Sequence, residues 1–427
     1  MLDIRTLRSD PTLVRSSETR RGRDPAVVDK VLELDDAWKA SAREEQTLRK
    51  TRNEVSESIN AAKKSGDEKA AQAGIERMQA HVKRINEQAA RTKQLLEERD
   101  ALLKTIGNIL HESVPTGETE DDNVELRSWG EKPAFDFEHK DHIELLESLD
   151  LVELDTAARV SGARWYYLKR EAVLLDQALQ RYAIDRLRAE EFELVMPPFA
   201  LKREVLAGTV NLSEFEDTIY KLEDEDLYLI GTSEHALIAL REGYVFHPSE
   251  LPNKIVGVSS CFRKEAGSHG RDTKGIFRVH QFNKVEQIVF AKPEESYAWF
   301  EKIQRFSEEL FEGLSIPYRV VNICTGDIGL KQALQYDIEA WFPGQNEKSG
   351  AYREVTSCSN CTDYQSVPLG IKYDEAGERR HVHILNNTAL ATSRAIPAIL
   401  ENHQQADGSV LMPDVLVPYL GFDRIAR

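Results

Sequence analysis

From Ala26 to Val114 no proline interrupts the chain, and through the second half of that stretch a seam recurs in alternating steps of three and four. Its members are Ile75, Met78, Val82, Ile85, Ala89, Thr92, Leu96, Arg99, Leu103, Ile106 and Leu110, mostly apolar. A repeat averaging 3.5 residues is that of a coiled coil. Val31, Leu34, Trp38, Leu48, Val55, Ile59 and Ala62 form a weaker partner seam, and Ser65-Gly66-Asp67 breaks the pattern between the two. The expectation is an antiparallel hairpin of two helices, opened by Asp24 as cap and Pro25 as first helical residue, each of about 40 residues and roughly 60 Å long at 1.5 Å per residue. Such a repeat more often makes a dimer. A hairpin satisfies its own seam, however, and leaves both outer faces free.

Charge gives those faces a use. The net charge is −17, yet residues 1–110 carry net +3 and the remainder −20. If the protein meets a polyanion, contact through the N-terminal part is favoured. Arg43, Arg49, Lys50, Arg52, Lys63, Lys64, Lys69, Arg77, Lys83, Arg84 and Arg91 lie toward its distal half. With 427 residues and 41% hydrophobic content the chain has room for two or three domains. The stretch 1–11 lacks the apolar core and cleavage site of a signal peptide and no apolar run approaches membrane-spanning length, so the expectation, with four cysteines, is a reducing, cytoplasmic setting. Residues 113–134, with Pro115, Gly117 and an acidic run, read as a linker between an arm (1–112) and a body (135–427).

Within the body the densest chemistry lies between Cys261 and Gln287. Val256 to Phe262 and Arg278 to Val289 read as strands of a hairpin whose loop holds Gly267, Ser268, His269, Gly270 and Gly275. Arg263 and Glu265 share one face of the first strand; Arg278, Lys284 and Glu286 share one face of the second, with Val279, Phe282 and Val285 assigned opposite. Upstream, a helical pattern from Arg170 to Glu190 precedes an apolar strand ending at Pro197-Pro198. A short strand, Leu227 to Ile230, delivers Gly231-Thr232-Ser233-Glu234 to a helix that Thr232 caps. Downstream, Glu354 and Ser357 offer hard oxygen ligands suited to Mg²⁺ on phosphates. Cys358-x-x-Cys361 has no second pair to complete a zinc site.

Phe262-Arg263-Lys264-Glu265, a glycine-containing loop, then Arg278-Val279-His280-Gln281-Phe282-Asn283-Lys284-Val285-Glu286 resembles motif 2 of the class II aminoacyl-tRNA synthetases, in the wording of the seryl-tRNA synthetases. The helix and strand before Pro198 resemble motif 1, with Glu191 where the family often has glycine. The block from His381 through Arg394 resembles motif 3 in a form similar to archaeal members of the standard, not the zinc-dependent, type. After Gln365 the family commonly has two arginines; Val367 and Pro368 stand here.

The resemblance implies an α+β fold, the class II antiparallel sheet flanked by helices with an N-terminal two-helix coiled-coil arm, working as a homodimer without membrane attachment. It implies that serine is activated with ATP and Mg²⁺ to seryl-adenylate and passed to tRNA(Ser), gripped by the arm, and to selenocysteine tRNA where that exists. By the same resemblance Arg263 and Arg394 are catalytic. Thr232, Ser233, Glu234, Arg263, Glu286 and Thr388 bind serine; Arg263, Lys264, Glu265, Val279, Phe282, Glu354, Val355, Thr356, Ser357 and Arg394 bind ATP; and Glu354 and Ser357 hold the metal. Two other readings are a synthetase-like ligase loading a carrier protein, which the long arm disfavours, and a non-catalytic RNA-binding coiled-coil protein, which the complete set of charged motif residues disfavours.

Overall fold

The computed structural model describes residues 1–210, 216–265 and 274–427, in two compact units, Met1–Gly107 and Asn108–Arg427. In the first, two short helices, α1 (Ile4–Ser9) and α2 (Pro11–Arg20), precede α3 (Ala26–Ser65) and α4 (Glu68–Leu103). Pro25 takes the cap position of α3 instead of its first helical one, and the Asp24 carboxylate accepts the Ala26 N–H at 2.9 Å. The expected turn is present: Gly66 ends α3 at φ +75°, a left-handed backbone natural to glycine, and Asp67 caps α4.

The seam departs from the sequence reading in two places. Val82 is 42% exposed, while Gln88 turns inward to donate to the Ser41 carbonyl at 3.0 Å. The helix also ends at Leu103, so Ile106 and Leu110 lie beyond it. A 3.6-residue helix drifts from a strict 3.5 repeat, so one sequence register cannot describe the whole length. Arg99, the charged member of the seam, meets buried Asp35 at 3.0 Å beside Arg8 and Lys39, each 2.7 Å from that carboxylate. Burial works against the Asp35 carboxylate, but the three cations hold it well below its usual range.

The second unit is built on an eight-stranded sheet. Its strands are β1 (Val124–Trp129), β2 (Glu193–Val195), β3 (Asn253–Phe262), β4 (Gln281–Ala291), β5 (Tyr318–Asn322), β6 (Leu334–Phe342), β7 (Ala351–Asn360) and β8 (His383–Ala391), in the order β1-β5-β6-β7-β8-β4-β3-β2. Every pairing is antiparallel except β2 with β3. Helices α5 (Glu171–Ala189), α6 (Ser233–Ala239), α7 (Ser296–Gly313) and α8 (Thr392–His403) flank the strands. Leu175, Phe300, Ile303, Phe311 and Ile399 of these helices join Val285, Ile338 and Leu385 of the sheet in one core. Nearly every residue of β8 is buried, so both sheet faces are covered at its centre.

The stretch 113–134, read as a linker, includes β1, an edge strand paired with β5. All six of its residues are exposed, so the inside-outside alternation that marks a strand in sequence is missing. Glu191, at the place of the family's glycine, has φ +62° and so takes the left-handed backbone without a glycine's freedom. Among the described residues no helix is long and apolar enough to cross a membrane.

Candidate active site

The β3–β4 hairpin runs in register from Asn253 opposite Phe290 to Phe262 opposite Gln281. Gly267, Ser268, His269 and Gly270 of its loop lie outside the described residues. Near the Phe262–Gln281 end of this hairpin opens a cleft lined by Arg263, Glu265, Phe277, Arg278, Val279, Phe282, Lys284, Glu354, Val355, Thr356, Thr388, Ala391, Ser393 and Arg394. Nine of the sequence-designated positions line it: Arg263, Glu265 and Val279 between β3 and β4, Phe282 on β4, Glu354, Val355 and Thr356 on β7, Thr388 on β8 and Arg394 on α8. Phe282 was assigned opposite the charges; its parity is that of Lys284 and Glu286, and it lies in the cleft with the Arg263 guanidinium 5.3 Å from its ring centre. The Arg263 Nε donates to the Gly231 carbonyl at 3.1 Å, tying the hairpin to the turn before α6.

Arginine dominates the cleft. Arg394 and Arg353 stack on Phe277 at 3.9 and 4.3 Å, and Arg394 donates to the Glu354 carbonyl at 3.3 Å. Burial, together with Arg263, Arg278 and Arg353, pushes the Arg394 pKa down to about 10, against the pull of Glu354. A polyanion is the ligand that would relieve this crowding. Glu265 faces Arg278 at 3.5 Å. Lys264 is exposed and its ammonium stands 6.0 Å from the Tyr220 ring centre, outside the cleft lining.

Glu354 and Ser357 are three apart, which on a regular strand would send them to opposite faces. Opposite Ile338 and Glu339 the β7 register slips by one residue at Val355, and this bulge restores them to one side. Asp337, paired with Ser357 across β6 and β7, is a third oxygen donor that sequence reasoning missed. Burial and the Glu354 carboxylate push the Asp337 carboxyl well above its usual range, although Ser357 and Gln335 hydrogen-bond it. A divalent cation would reverse that cost, and Mg²⁺ needs only one or two carboxylates when substrate phosphates complete its shell. The donor set therefore fits the ion. Cys358 and Cys361 are both fully buried, and burial raises both thiols, Cys361 to about 12.

Next to the cleft lies a buried polar cluster. Thr232 caps α6 by accepting the Glu234 N–H at 3.2 Å, while Ser233 is fully buried and its hydroxyl has no partner among the described residues. Thr388 and Glu286 are direct cross-strand partners on β8 and β4, with the Thr388 hydroxyl donating to Glu286 at 3.4 Å. Lys284 Nζ meets Glu286 at 2.5 Å and donates to Thr232 Oγ1 at 2.7 Å. On the other side Lys331 Nζ and Gln365 Nε2 converge on Glu234 Oε1 at 2.5 and 2.7 Å. Burial raises the Glu234 carboxyl, but Lys331, His235 and Gln365 outweigh it and bring it down to about 2. For Glu286 burial prevails and the shift is upward, with Lys284 opposing it. Lys331 carried no sequence signal, because it lies in a loop 97 residues from its partner.

A family model described as tRNA synthetase class II core domain (G, H, P, S and T) matches residues 218–403, and one described as seryl-tRNA synthetase N-terminal domain matches residues 1–110. The serine–tRNA ligase of Pyrococcus horikoshii is 47% identical over 449 positions, spanning 100% of this chain and 97% of that protein; that of Thermoplasma volcanium is 42% identical, spanning 100% of both. Among solved structures, seryl-tRNA synthetase from Pyrococcus horikoshii complexed with ATP superposes with TM-score 0.91 at 46% identity, covering 100% of this chain and 99% of that one. The cytoplasmic serine–tRNA ligase from Naegleria fowleri in complex with AMP gives 0.88 at 38% identity, covering 100% and 98%.

Proposed function

This chain belongs to the serine–tRNA ligase family of class II aminoacyl-tRNA synthetases, and from that membership we propose which of its residues perform each step. The enzyme is an ATP-dependent ligase with serine, ATP and tRNA(Ser) as substrates. In the first step the serine carboxylate attacks the α-phosphorus of ATP; a phosphorus–oxygen bond forms to serine and pyrophosphate leaves. Both reactants are anions, so positioning and positive charge matter more than a general base. Arg263, at the junction of cleft and buried cluster, bridges the α-phosphate and the serine carboxylate. Arg394 receives the γ-phosphate. Glu265 meets the adenine amino group, Phe282 stacks on the base, and Val279, Val355 and Thr356 wall the nucleotide. Glu354 and Ser357, with Asp337 beside them, would hold Mg²⁺, which supplies charge neutralisation to the phosphates when bound. In the second step the terminal ribose hydroxyl of the tRNA attacks the seryl carbonyl and AMP leaves.

For serine itself, Thr232 and Glu234 address the ammonium, and Glu286 with Thr388 reads the hydroxyl. Ser233 contributes its backbone at the start of α6. The observation that carries this reading is the Thr388–Glu286–Lys284–Thr232 chain of contacts directly beside the arginine-lined cleft. A buried site built to bond a hydroxyl rejects analogues without one by large factors. We further propose the arm, residues 1–112, as the tRNA-binding part and 135–427 as the catalytic domain, with 113–134 joining them and lending its strand β1 to the catalytic sheet. A homodimer through α5 and β2, and a cytoplasmic location, complete the proposal. Amino-acid-dependent ATP–pyrophosphate exchange across a panel tests it: serine should exceed threonine, and threonine alanine. Any other amino acid outrunning serine overturns the assignment of the pocket.

A further inference from the structure

Lys284 touches both halves of the site: its side chain lines the cleft, and its ammonium contacts Thr232 Oγ1 at 2.7 Å and Glu286 Oε2 at 2.5 Å. Lys284 is only 5% exposed. The two oxygens it contacts belong to groups assigned above to the ammonium and hydroxyl of serine. Two ammonium groups cannot share them, since like charges side by side in a buried site are strongly unfavourable. The local charge is already matched, Glu234 by Lys331 and Glu286 by Lys284. Serine enters as a zwitterion, bringing one charge of each sign. Charge stays matched if its ammonium replaces that of Lys284 and its carboxylate becomes the new partner of Lys284. A buried ammonium released without a partner would carry a desolvation cost of several-fold to many-fold in binding. Lysine suits such a move because its charge sits on a flexible four-carbon stem.

We propose that Lys284 is an exchangeable counter-ion of the amino-acid pocket, holding Thr232 and Glu286 until serine displaces it and then binding the serine carboxylate alongside Arg263. This rests on the reading of the cluster as the serine pocket. It makes Lys284 a specificity-determining residue that recognises an intact α-amino acid, because only a ligand carrying both charges completes the exchange. Serinamide keeps the ammonium and hydroxyl and lacks the carboxylate, so it displaces Lys284 and gives it no new partner.

The test measures the serine KM in pyrophosphate exchange, and inhibition by serinamide, at about pH 7, where an α-ammonium is largely protonated. In Lys284→Met the serine KM should rise at least about 30-fold, as for loss of one partner of a buried charge pair. The serinamide inhibition constant should stay within about threefold of wild type, or fall, since the amide no longer has to evict an ammonium. Lys284→Arg should restore most of the serine affinity. Lys284→Gln, which keeps a donor for Thr232 without the charge, should repeat the methionine result and replaces it where that variant does not fold. Parallel weakening of serine and serinamide would show that Lys284 only shapes the pocket, and an unchanged serine KM would show that it never reaches the carboxylate. A wild-type enzyme that does not prefer serine sinks the pocket assignment instead, so the two failures are distinguishable.

Discussion

Replacing Lys331 by methionine tests whether the buried Glu234 pair is a working part of this fold. Glu234 is 5% exposed, and its carboxylate has the Lys331 ammonium at 2.5 Å and the Gln365 amide at 2.7 Å on the same oxygen. Two routes lead to the magnitude. Removing one partner of a buried pair typically costs about 3–5 kcal/mol, because it leaves a charge without compensation. Independently, the carboxyl lies at about 2 against its ordinary 4.5, and at 1.36 kcal/mol per unit that is about 3 kcal/mol of stability at neutral pH. The sign follows from the depressed folded-state value: the contribution is complete above the unfolded value and disappears as pH falls through the folded one. Urea unfolding of the full chain at several pH values is the assay. Lys331→Met should be less stable than wild type by about 3–5 kcal/mol at pH 7, with the deficit shrinking to roughly 1 kcal/mol by pH 3. A deficit below about 1 kcal/mol at pH 7, or one equally large at both pH values, would refute the argument that an ionised Glu234 is what Lys331 stabilises.

Arg263→Ala and Arg394→Ala should each cut serine-dependent pyrophosphate exchange by at least ~100-fold, the scale of losing one transition-state donor; rates near wild type would remove that residue from the reaction. A chain lacking residues 27–106 should still form seryl-adenylate and transfer poorly to tRNA, which single-turnover charging would reveal; full charging efficiency would make the arm purely structural. Glu191→Gly should raise the unfolding free energy by up to about 1 kcal/mol, because the residue sits at φ +62°, and a loss of stability would mean that its contact with Lys254, 3.6 Å away, outweighs the backbone term.

The elements that sequence made legible are those whose pattern is local. The helical hairpin and its Ser65-Gly66-Asp67 turn follow from periodicity and capping, and the β3–β4 hairpin from alternation broken by glycines. What escaped was set by irregularity or by distance in the chain. The bulge at Val355 places Glu354 and Ser357 on one side although simple alternation separates them. Another slip, between Thr388 and Leu390, lies directly beside the Thr388–Glu286 pair. Strand β1 carries no alternation because none of its residues is buried. Asp337, Lys331 and Gln365 come from separate segments and meet the designated residues only through the tertiary fold.

The departures from the family wording are informative because the structure shows what stands beside them. After Gln365 the chain has Ser366-Val367-Pro368, where the resemblance led one to expect two arginines. Gln365 itself is buried and donates to Glu234, so this segment abuts the buried polar cluster proposed to take serine. An acidic group at that depth requires a cation close by. Here the cation is Lys331, reaching in from the loop before β6. Positive charge absent at 367 and 368 is thus no obstacle to an ionised Glu234, since the counter-charge has a source elsewhere in the chain. The same logic separates the two lysines: Lys331 pairs with Glu234 and is not among the residues lining the cleft, whereas Lys284 lines the cleft and bridges to Glu286. One lysine is therefore suited to fix a carboxylate permanently and the other to release one, a difference that the exchange and unfolding measurements separate, because Lys331→Met should lower stability first and Lys284→Met should lower serine affinity first.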